Sequence, residues 1–266
     1  MEDNAPIAFL LALVAGAATG VGAALTFALR KNDFKIFALG MSFSAGVMVY
    51  LSFTDILPTA IAKMQGGGIS DRLGHALAVL AFFAGVALAG VIDYFIPEHV
   101  DHEMAERGAE PHAHGRPSKA GRAAVFTAVA LAIHNFPEGL SVFVAGLDDI
   151  TVGIGVAIAI MLHNIPEGVS VALPIYSATG NKRKAFCWAT LSGMAEPLGA
   201  LFAYFALAPY LTPRLVGAAL ALTAGIMVYI SLDELLPMAK EYGEEHYGIV
   251  GVFSGMAFMA AVSIIF

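Results

Sequence analysis

The chain has 266 residues, of which 58% are hydrophobic and 13% are charged, whereas about 25% of the residues of a soluble domain are charged. This composition indicates a polytopic membrane protein and excludes a large separate soluble domain. The net charge of −7 provides no basic surface, so nucleic acid is not an expected partner. The single cysteine, Cys187, excludes an internal disulfide and a thiolate metal cluster.

Eight apolar segments are long enough to cross the roughly 30 Å of a bilayer core as helices. In chain order they are residues 6–29, 35–61, 74–96, 121–146, 151–178, 184–207, 214–238 and 248–266. We therefore predict an all-α integral membrane fold, with residues 1–266 forming one polytopic transmembrane domain in contact with the lipid bilayer.

One connection is long. Residues 97–120 contain His99, His102, His112 and His114. We predict that they form a polar cytoplasmic loop, which either holds metal weakly or is a solvated linker.

Two distant segments repeat each other. Residues 45–60 read AGVMVYLSFTDILPTA, and residues 224–239 read AGIMVYISLDELLPMA. They lie on the second and seventh predicted helices, which cross the bilayer in opposite directions. This pattern indicates a 3+2+3 arrangement, in which helices 1–3 and 6–8 are inverted repeats around a central pair, helices 4 and 5. A transport site is expected at the repeat axis.

A six-residue motif occurs once on each helix of the central pair. Residues 134–139 read HNFPEG, and residues 163–168 read HNIPEG. Helical spacing puts the His, Asn and Glu side chains of each copy on one face. The candidate ligands are therefore His134, Asn135, Glu138, His163, Asn164 and Glu167. Imidazole and carboxylate groups bind zinc and similar divalent ions.

The motif prolines, Pro137 and Pro166, have no N–H, so each removes one helical hydrogen bond and is expected to kink its helix beside the cluster. A packing role for the motif is the alternative. Two carboxylates in the middle of membrane helices are costly to bury, however, and such groups usually serve a function.

Further polar residues accompany the motifs. Glu196 on the sixth helix, beside Pro197, is a seventh candidate ligand. Acidic residues near the helix ends line an ion path or are solvated interfacial groups, and we leave both interpretations open. The candidate path residues are Asp55, Asp233, Glu234, Ser141 and Ser170.

Basic residues predict the orientation, because cytoplasmic loops carry an excess of Lys and Arg. With both termini outside, the outer side holds only Lys63, Arg72 and Arg214 of the 14 basic residues. The inner side holds Arg30, Lys31, Lys35, Arg107, Arg116, Lys119, Arg122, Lys182, Arg183, Lys184 and Lys240. We predict a multi-pass protein of the cell (inner or plasma) membrane with both termini extracytoplasmic.

The paired His-Asn-x-Pro-Glu-Gly motifs, followed by Ser-Gly-Met-Ala-Glu-Pro at residues 192–197, resemble the ZIP family of divalent metal transporters. The segment MLHNIPEGVSVALPIYSATGNKRKAFCWATLSG is similar to the bacterial ZupT-type branch of that family. The resemblance implies eight helices with outer termini, a binuclear metal centre and transport toward the cytoplasm. Because ZIP members often dimerise, a homodimer is also expected.

The resemblance further implies a division of the ligands between two metal ions. Carried over by position, the first ion would be held by His134, Glu138, His163 and Glu167, with Glu196 near it. The second would be held by Asn135, Glu138, Asn164, Glu167 and Glu196.

Two other functions use overlapping residues. A membrane-embedded zinc hydrolase usually carries His-Glu-x-x-His, whereas here Asn follows each motif His. A passive metal channel shares every residue. We predict a transporter and not an enzyme, with zinc as the leading substrate and iron, manganese, cobalt and cadmium as the other candidates for mixed nitrogen and oxygen ligands.

Overall fold

The computed structural model describes residues 4–28, 34–65, 69–94, 119–207, 210, 212–242 and 245–265. These residues are almost all helical, and no strand occurs among them. The predicted histidine-containing loop, residues 97–120, lies outside the described residues except for its last two positions, which begin a helix.

Every predicted apolar segment is helical over most of its length, as expected. The α-helices are α1 (Ala5–Thr26), α2 (Phe34–Leu51), α3 (Leu57–Met64), α4 (Asp71–Tyr94), α5 (Lys119–Asp148), α6 (Ile150–Thr179), α7 (Lys182–Gly193), α8 (Ala195–Phe202), α9 (Pro213–Ile230), α10 (Leu236–Tyr242) and α11 (Glu245–Ile265). Three π-helical turns accompany them: Ser52–Ile56 joins α2 to α3, Ala203–Leu207 follows α8, and Ser231–Leu235 joins α9 to α10.

Six helical spans of the described residues are long and apolar enough to cross a membrane: Ala5–Thr26, Ala38–Met64, Asp71–Tyr94, Ile150–Leu173, Pro213–Leu235 and His246–Ile264. The other two predicted segments are α5 and the α7–α8 pair. Large apolar side chains are exposed on the surface, including Leu80, Phe83 and Phe205. Such extensive apolar surface fits contact with lipid, so these features describe a multi-pass membrane protein.

The helices pack in two groups. In the first, α1 packs along α6 and also contacts α5, α7 and α8, while α5 packs on α6 and α8. We call α1 and α5–α8 the site bundle. In the second, α2 packs along α11, and α9 packs along α4 and α3. We call α2–α4 and α9–α11 the repeat bundle. The main contact between the bundles joins α2 to α6.

The sequence repeat is also a repeat of local structure. In the first copy, the N–H of Leu57 donates to the carbonyl of Ser52, and the Ser52 hydroxyl donates to the carbonyl of Met48 at 2.7 Å. The second copy has the same bonds, with the same hydroxyl distance, at Leu236, Ser231 and Met227. A proline follows each turn and lacks the N–H for an ordinary helical bond, which favours the wider π turn.

Close backbone contact holds α1 in the site bundle. A Cβ on Gly168 of α6 would lie 1.9 Å from the carbonyl oxygen of Thr19, and one on Gly22 of α1 would lie 1.9 Å from that of Ile165. Only glycine fits at these positions, because small residues allow membrane helices to approach this closely. The contact places α1 directly against the helix that carries the second motif.

Candidate metal centre

The motif residues lie on two long helices. Both α5 and α6 contain 30 residues, and each remains helical through its motif proline. A break in the helix occurs between α7 and α8, where Met194 is a turn residue. Glu196 lies in the first turn of α8, next to this break.

The centre of the site is formed by Glu138, His163 and Glu167. Each offers a ligand atom, and these atoms lie within 4.8 Å of one another. The His163 Nε2 atom lies 3.2 Å from Glu138 Oε2. All three side chains are buried. Because each zinc ligand sits about 2.0–2.2 Å from the ion, small side-chain movements would let the three converge on one cation.

Asn164 and Glu196 lie beside this group. The Asn164 amide nitrogen donates to the carbonyl of Ala15 at 2.8 Å and also to Glu196 Oε1. Both side chains are fully buried. The contact joins α6 and α8 to α1, so three helices fix the position of this amide and carboxylate.

The Asn135 amide fits two orientations. In one, its nitrogen donates to the carbonyl of Ser192 on α7 at 3.3 Å. In the other, the nitrogen donates to Glu167 Oε2 at 3.2 Å and to the carbonyl of Leu131 at 3.0 Å. The second orientation connects Asn135 directly to the carboxylate at the centre of the cluster.

Several polar atoms of the cluster are buried without a hydrogen-bond partner among the described residues: Glu138 Oε1, His163 Nδ1, Asn164 Oδ1 and Glu196 Oε2. Buried polar groups nearly always have partners. Ionised carboxylates and amide oxygens are acceptors only, so a cation would satisfy them, whereas another acceptor would not. The set of oxygen and nitrogen donors suits a divalent transition metal.

Six of the seven predicted ligands are thus brought together. The side chain of His134 lies outside the described part of the structure, so its role stays a prediction.

The predicted path residues differ in their contacts. Asp55 Oδ2 accepts hydrogen bonds from Thr54 at 2.6 Å and Ser263 at 3.2 Å. Asp233 is exposed. Glu234 is half-buried and close enough to Glu167 for the two carboxylates to repel each other.

The two serines are buried on the motif helices. The Ser141 hydroxyl donates to the carbonyl of Glu138 at 2.9 Å, and the Ser170 hydroxyl donates to that of Glu167 at 2.7 Å. They stay predictions as path residues.

Sequence reasoning missed three contributors. The carbonyl of Ala15 accepts from Asn164, the carbonyl of Ser192 accepts from Asn135 in the first of its two orientations, and the Ser44 hydroxyl donates to the carbonyl of His163 at 3.4 Å. A backbone carbonyl has no signature of its own in the sequence. The glycines of α1 were the available signal, because they indicate a close partner helix.

Comparison with known proteins adds an independent finding. Residues 97–263 match the family model described as ZIP zinc transporter. The chain is 46% identical to a Streptococcus mutans serotype c protein named zinc transporter ZupT, over 100% of both chains.

Proteins of the same name from two other bacteria are equally similar. The identity is 49% with the protein of Corynebacterium efficiens, over 99% of this chain and 98% of that one. It is also 49% with the protein of Oceanobacillus iheyensis, over 97% of both chains. These matches span nearly the whole chain, including every residue of the cluster.

Proposed function

This chain belongs to the ZIP zinc transporter family, and on that premise we propose that it carries divalent metal ions, zinc foremost, into the cytoplasm through the cluster on α5, α6 and α8. The observation that carries the proposal is the convergence of Glu138, His163 and Glu167, buried within 4.8 Å of one another. Two carboxylates and an imidazole in a membrane protein are costly unless they bind an ion.

We propose a binuclear centre in which Glu138 and Glu167 bridge two ions. The first ion would use these two carboxylates with His134 and His163, near Glu196. The second would use the same carboxylates with Asn135, Asn164 and Glu196. The unpartnered Asn164 and Glu196 oxygens support the second position, because an amide oxygen and a carboxylate oxygen there lack any other partner among the described residues.

The proposed architecture has eight membrane-crossing helices in a 3+2+3 arrangement within one transmembrane domain. Its support is reciprocal packing. A Cβ on Gly46 of α2 would lie 2.1 Å from the carbonyl of Val252 on α11, and one on Gly225 of α9 would lie 2.0 Å from that of Phe82 on α4. Gly46 and Gly225 occupy equivalent positions in the repeated segments, as inverted repeats require.

We propose the plasma membrane as the location, with both termini outside, because most of the basic residues then face the cytoplasm. The ion path would pass Glu234, whose carboxylate is close enough to that of Glu167 to repel it, on its inner side. Asp55, Asp233, Ser141 and Ser170 remain secondary candidates for this path.

The family and the names of the relatives favour a transporter over a hydrolase. A passive channel uses the same residues, so only kinetics separate it from a carrier. Uptake that saturates with zinc concentration supports a carrier, whereas uptake that rises linearly supports a channel.

Zinc uptake into proteoliposomes tests the proposal. Wild-type protein should accumulate zinc, and Glu167→Ala should abolish uptake while the protein still inserts and elutes as a folded species. Asp71→Ala is the matched control, because Asp71 is an exposed carboxylate at the start of α4, and its uptake should equal that of the wild type. Normal uptake by a folded Glu167→Ala protein would overturn the assignment.

A further inference from the structure

An apolar groove of about 370 Å³ runs along the surface between α5 and the α7–α8 pair. Its walls include Ala132, Ile133, Phe136, Trp188, Leu191 and Ala195. Ile133 and Leu191 are exposed by 41% and 62%, so the groove opens outward. An open apolar groove on a membrane-spanning bundle fits contact with hydrocarbon chains.

One end of the groove is basic. Lys184 lies one helical turn before Trp188 and therefore on the same face of α7. Lys182, Arg183 and Lys184 are all exposed. The ammonium group of Lys182 lies over the rings of nearby aromatic residues, 5.5 Å from the Phe27 centroid. Lys184 is therefore the cation aligned with the groove itself.

We propose that this groove binds an anionic phospholipid, with one acyl chain between α5 and α8, the glycerol region at Trp188 and the phosphate on Lys184. Tryptophan is enriched at the membrane interface. Basic pockets between membrane helices on the cytoplasmic side bind anionic head groups. The proposal rests on the proposed function in one respect, because it takes the Lys184 end of α7 to face the cytoplasm.

The bound chain would form the outer wall of the metal centre. Phe136 in the groove follows Asn135, and Ala195 precedes Glu196. Ser192 also lines the groove, and its carbonyl accepts from Asn135 in the first of the two amide orientations. The lipid would therefore contact the helical turns that carry two of the candidate metal ligands.

The chain contains a single tryptophan, so its fluorescence reports on the groove alone. The full-length protein is reconstituted in phosphatidylcholine vesicles that contain either brominated phosphatidylglycerol or brominated phosphatidylcholine, because bromine quenches tryptophan on contact. We expect an apparent preference of about fivefold for the anionic lipid, the effect of one basic residue near an anionic surface.

Four variants test the roles of the basic residue and of the groove. Lys184→Gln should remove the preference for the anionic lipid. Arg183→Gln should keep it, because Arg183 lies about 100° away from Lys184 around the helix. Ala132→Phe fills the groove and should weaken quenching by both lipids. Ala84→Phe, at an exposed position on α4, should leave quenching unchanged.

Equal quenching by the two lipids would overturn the proposal, as would a preference that survives Lys184→Gln. Absence of quenching by either lipid would also overturn it and would indicate that a second copy of the chain covers the groove. The measurement needs no ion flux. Selective quenching in a protein that moves no zinc would therefore reject the proposed transport and keep the lipid site.

Discussion

The side-chain amide of Asn164 is held from two directions. Its nitrogen donates to the carbonyl of Ala15 and to Glu196, while its oxygen has no hydrogen-bond partner in the described structure. The amide is therefore oriented with its acceptor atom available to a cation. Groups that orient metal ligands are often as important to metal affinity as the ligands themselves.

Asn164→Ala is expected to weaken zinc binding by about 10–100-fold, the range found when the groups around a metal site are removed. The loss has two causes, because Glu196 loses its donor and the centre loses an oxygen. Isothermal titration calorimetry of the detergent-solubilised protein measures the affinity. Asn181→Ala is the control, because Asn181 caps α7 at an exposed position and should leave zinc affinity unchanged. Unchanged affinity in Asn164→Ala would remove this residue from the centre.

The sequence predicted much of the centre at this scale. Helical spacing put the His, Asn and Glu of each motif on one face of its helix, and the ligand atoms of Glu138, His163 and Glu167 do converge where the two helices pack. The carbonyls of Ala15 and Ser192 could not be predicted, because every residue has a carbonyl and only tertiary packing decides which one meets an amide.

Backbone contact with α6 holds α1 closely in the site bundle. The carbonyl of Thr19 occupies the space where a Cβ of Gly168 would lie. The Ala15 carbonyl also lies on α1. The packing of α1 on α6 and the orientation of the Asn164 amide therefore depend on each other.

Gly168→Ala is expected to destabilise the protein by about 1–3 kcal/mol, the usual cost of overpacking a filled interior, since the new methyl group would lie 1.9 Å from the Thr19 oxygen. Gly40→Ala is the matched control. Its Cβ would meet only the Pro166 side chain at 3.8 Å, and alanine in a helix is favoured over glycine by about 0.5–1 kcal/mol. The midpoint of thermal unfolding in detergent should be highest for Gly40→Ala, intermediate for the wild type and lowest for Gly168→Ala. Equal midpoints would contradict the close contact.

The helix positions could be predicted from apolar length, but their internal irregularities could not. The π turns at Ser52–Ile56 and Ser231–Leu235 and the break at Met194 depend on how each segment meets its neighbours. The prolines at positions 58 and 237 lack the N–H of an ordinary helical bond, but proline by itself does not predict that the chain forms a wider π turn.

The molecule as a whole combines a site bundle with a repeat bundle. An ion pair between Lys63 on α3 and Asp148 on α5 joins them at one end. It is partly exposed, and such pairs contribute only about 0–1 kcal/mol. The bundles are therefore held together mainly by packing of α2 on α6, which lies directly beside the metal centre.

The proposed orientation can be tested with single cysteines in a Cys187→Ser background. Ser70 precedes α4 and Arg183 lies in the first turn of α7, and both are exposed. The proposed topology puts them on opposite sides of the membrane. In intact cells, an impermeant thiol reagent should label Ser70→Cys and should label Arg183→Cys only after the membrane is permeabilised. The reverse pattern would invert the proposed topology and would also place Lys184 at the outer leaflet.

The contact between Ala15 and Asn164 spans 149 positions of the chain, which has a consequence for biogenesis. At about 5–20 residues per second, α1 is synthesised many seconds before α6. The acceptor carbonyl is therefore already in the bilayer when the amide, and later Glu196, must leave water. Synthesis from the N-terminus thus places the Ala15 carbonyl in the membrane before the Asn164 and Glu196 side chains, which are costly to bury. The metal centre is completed as the last of its helices inserts.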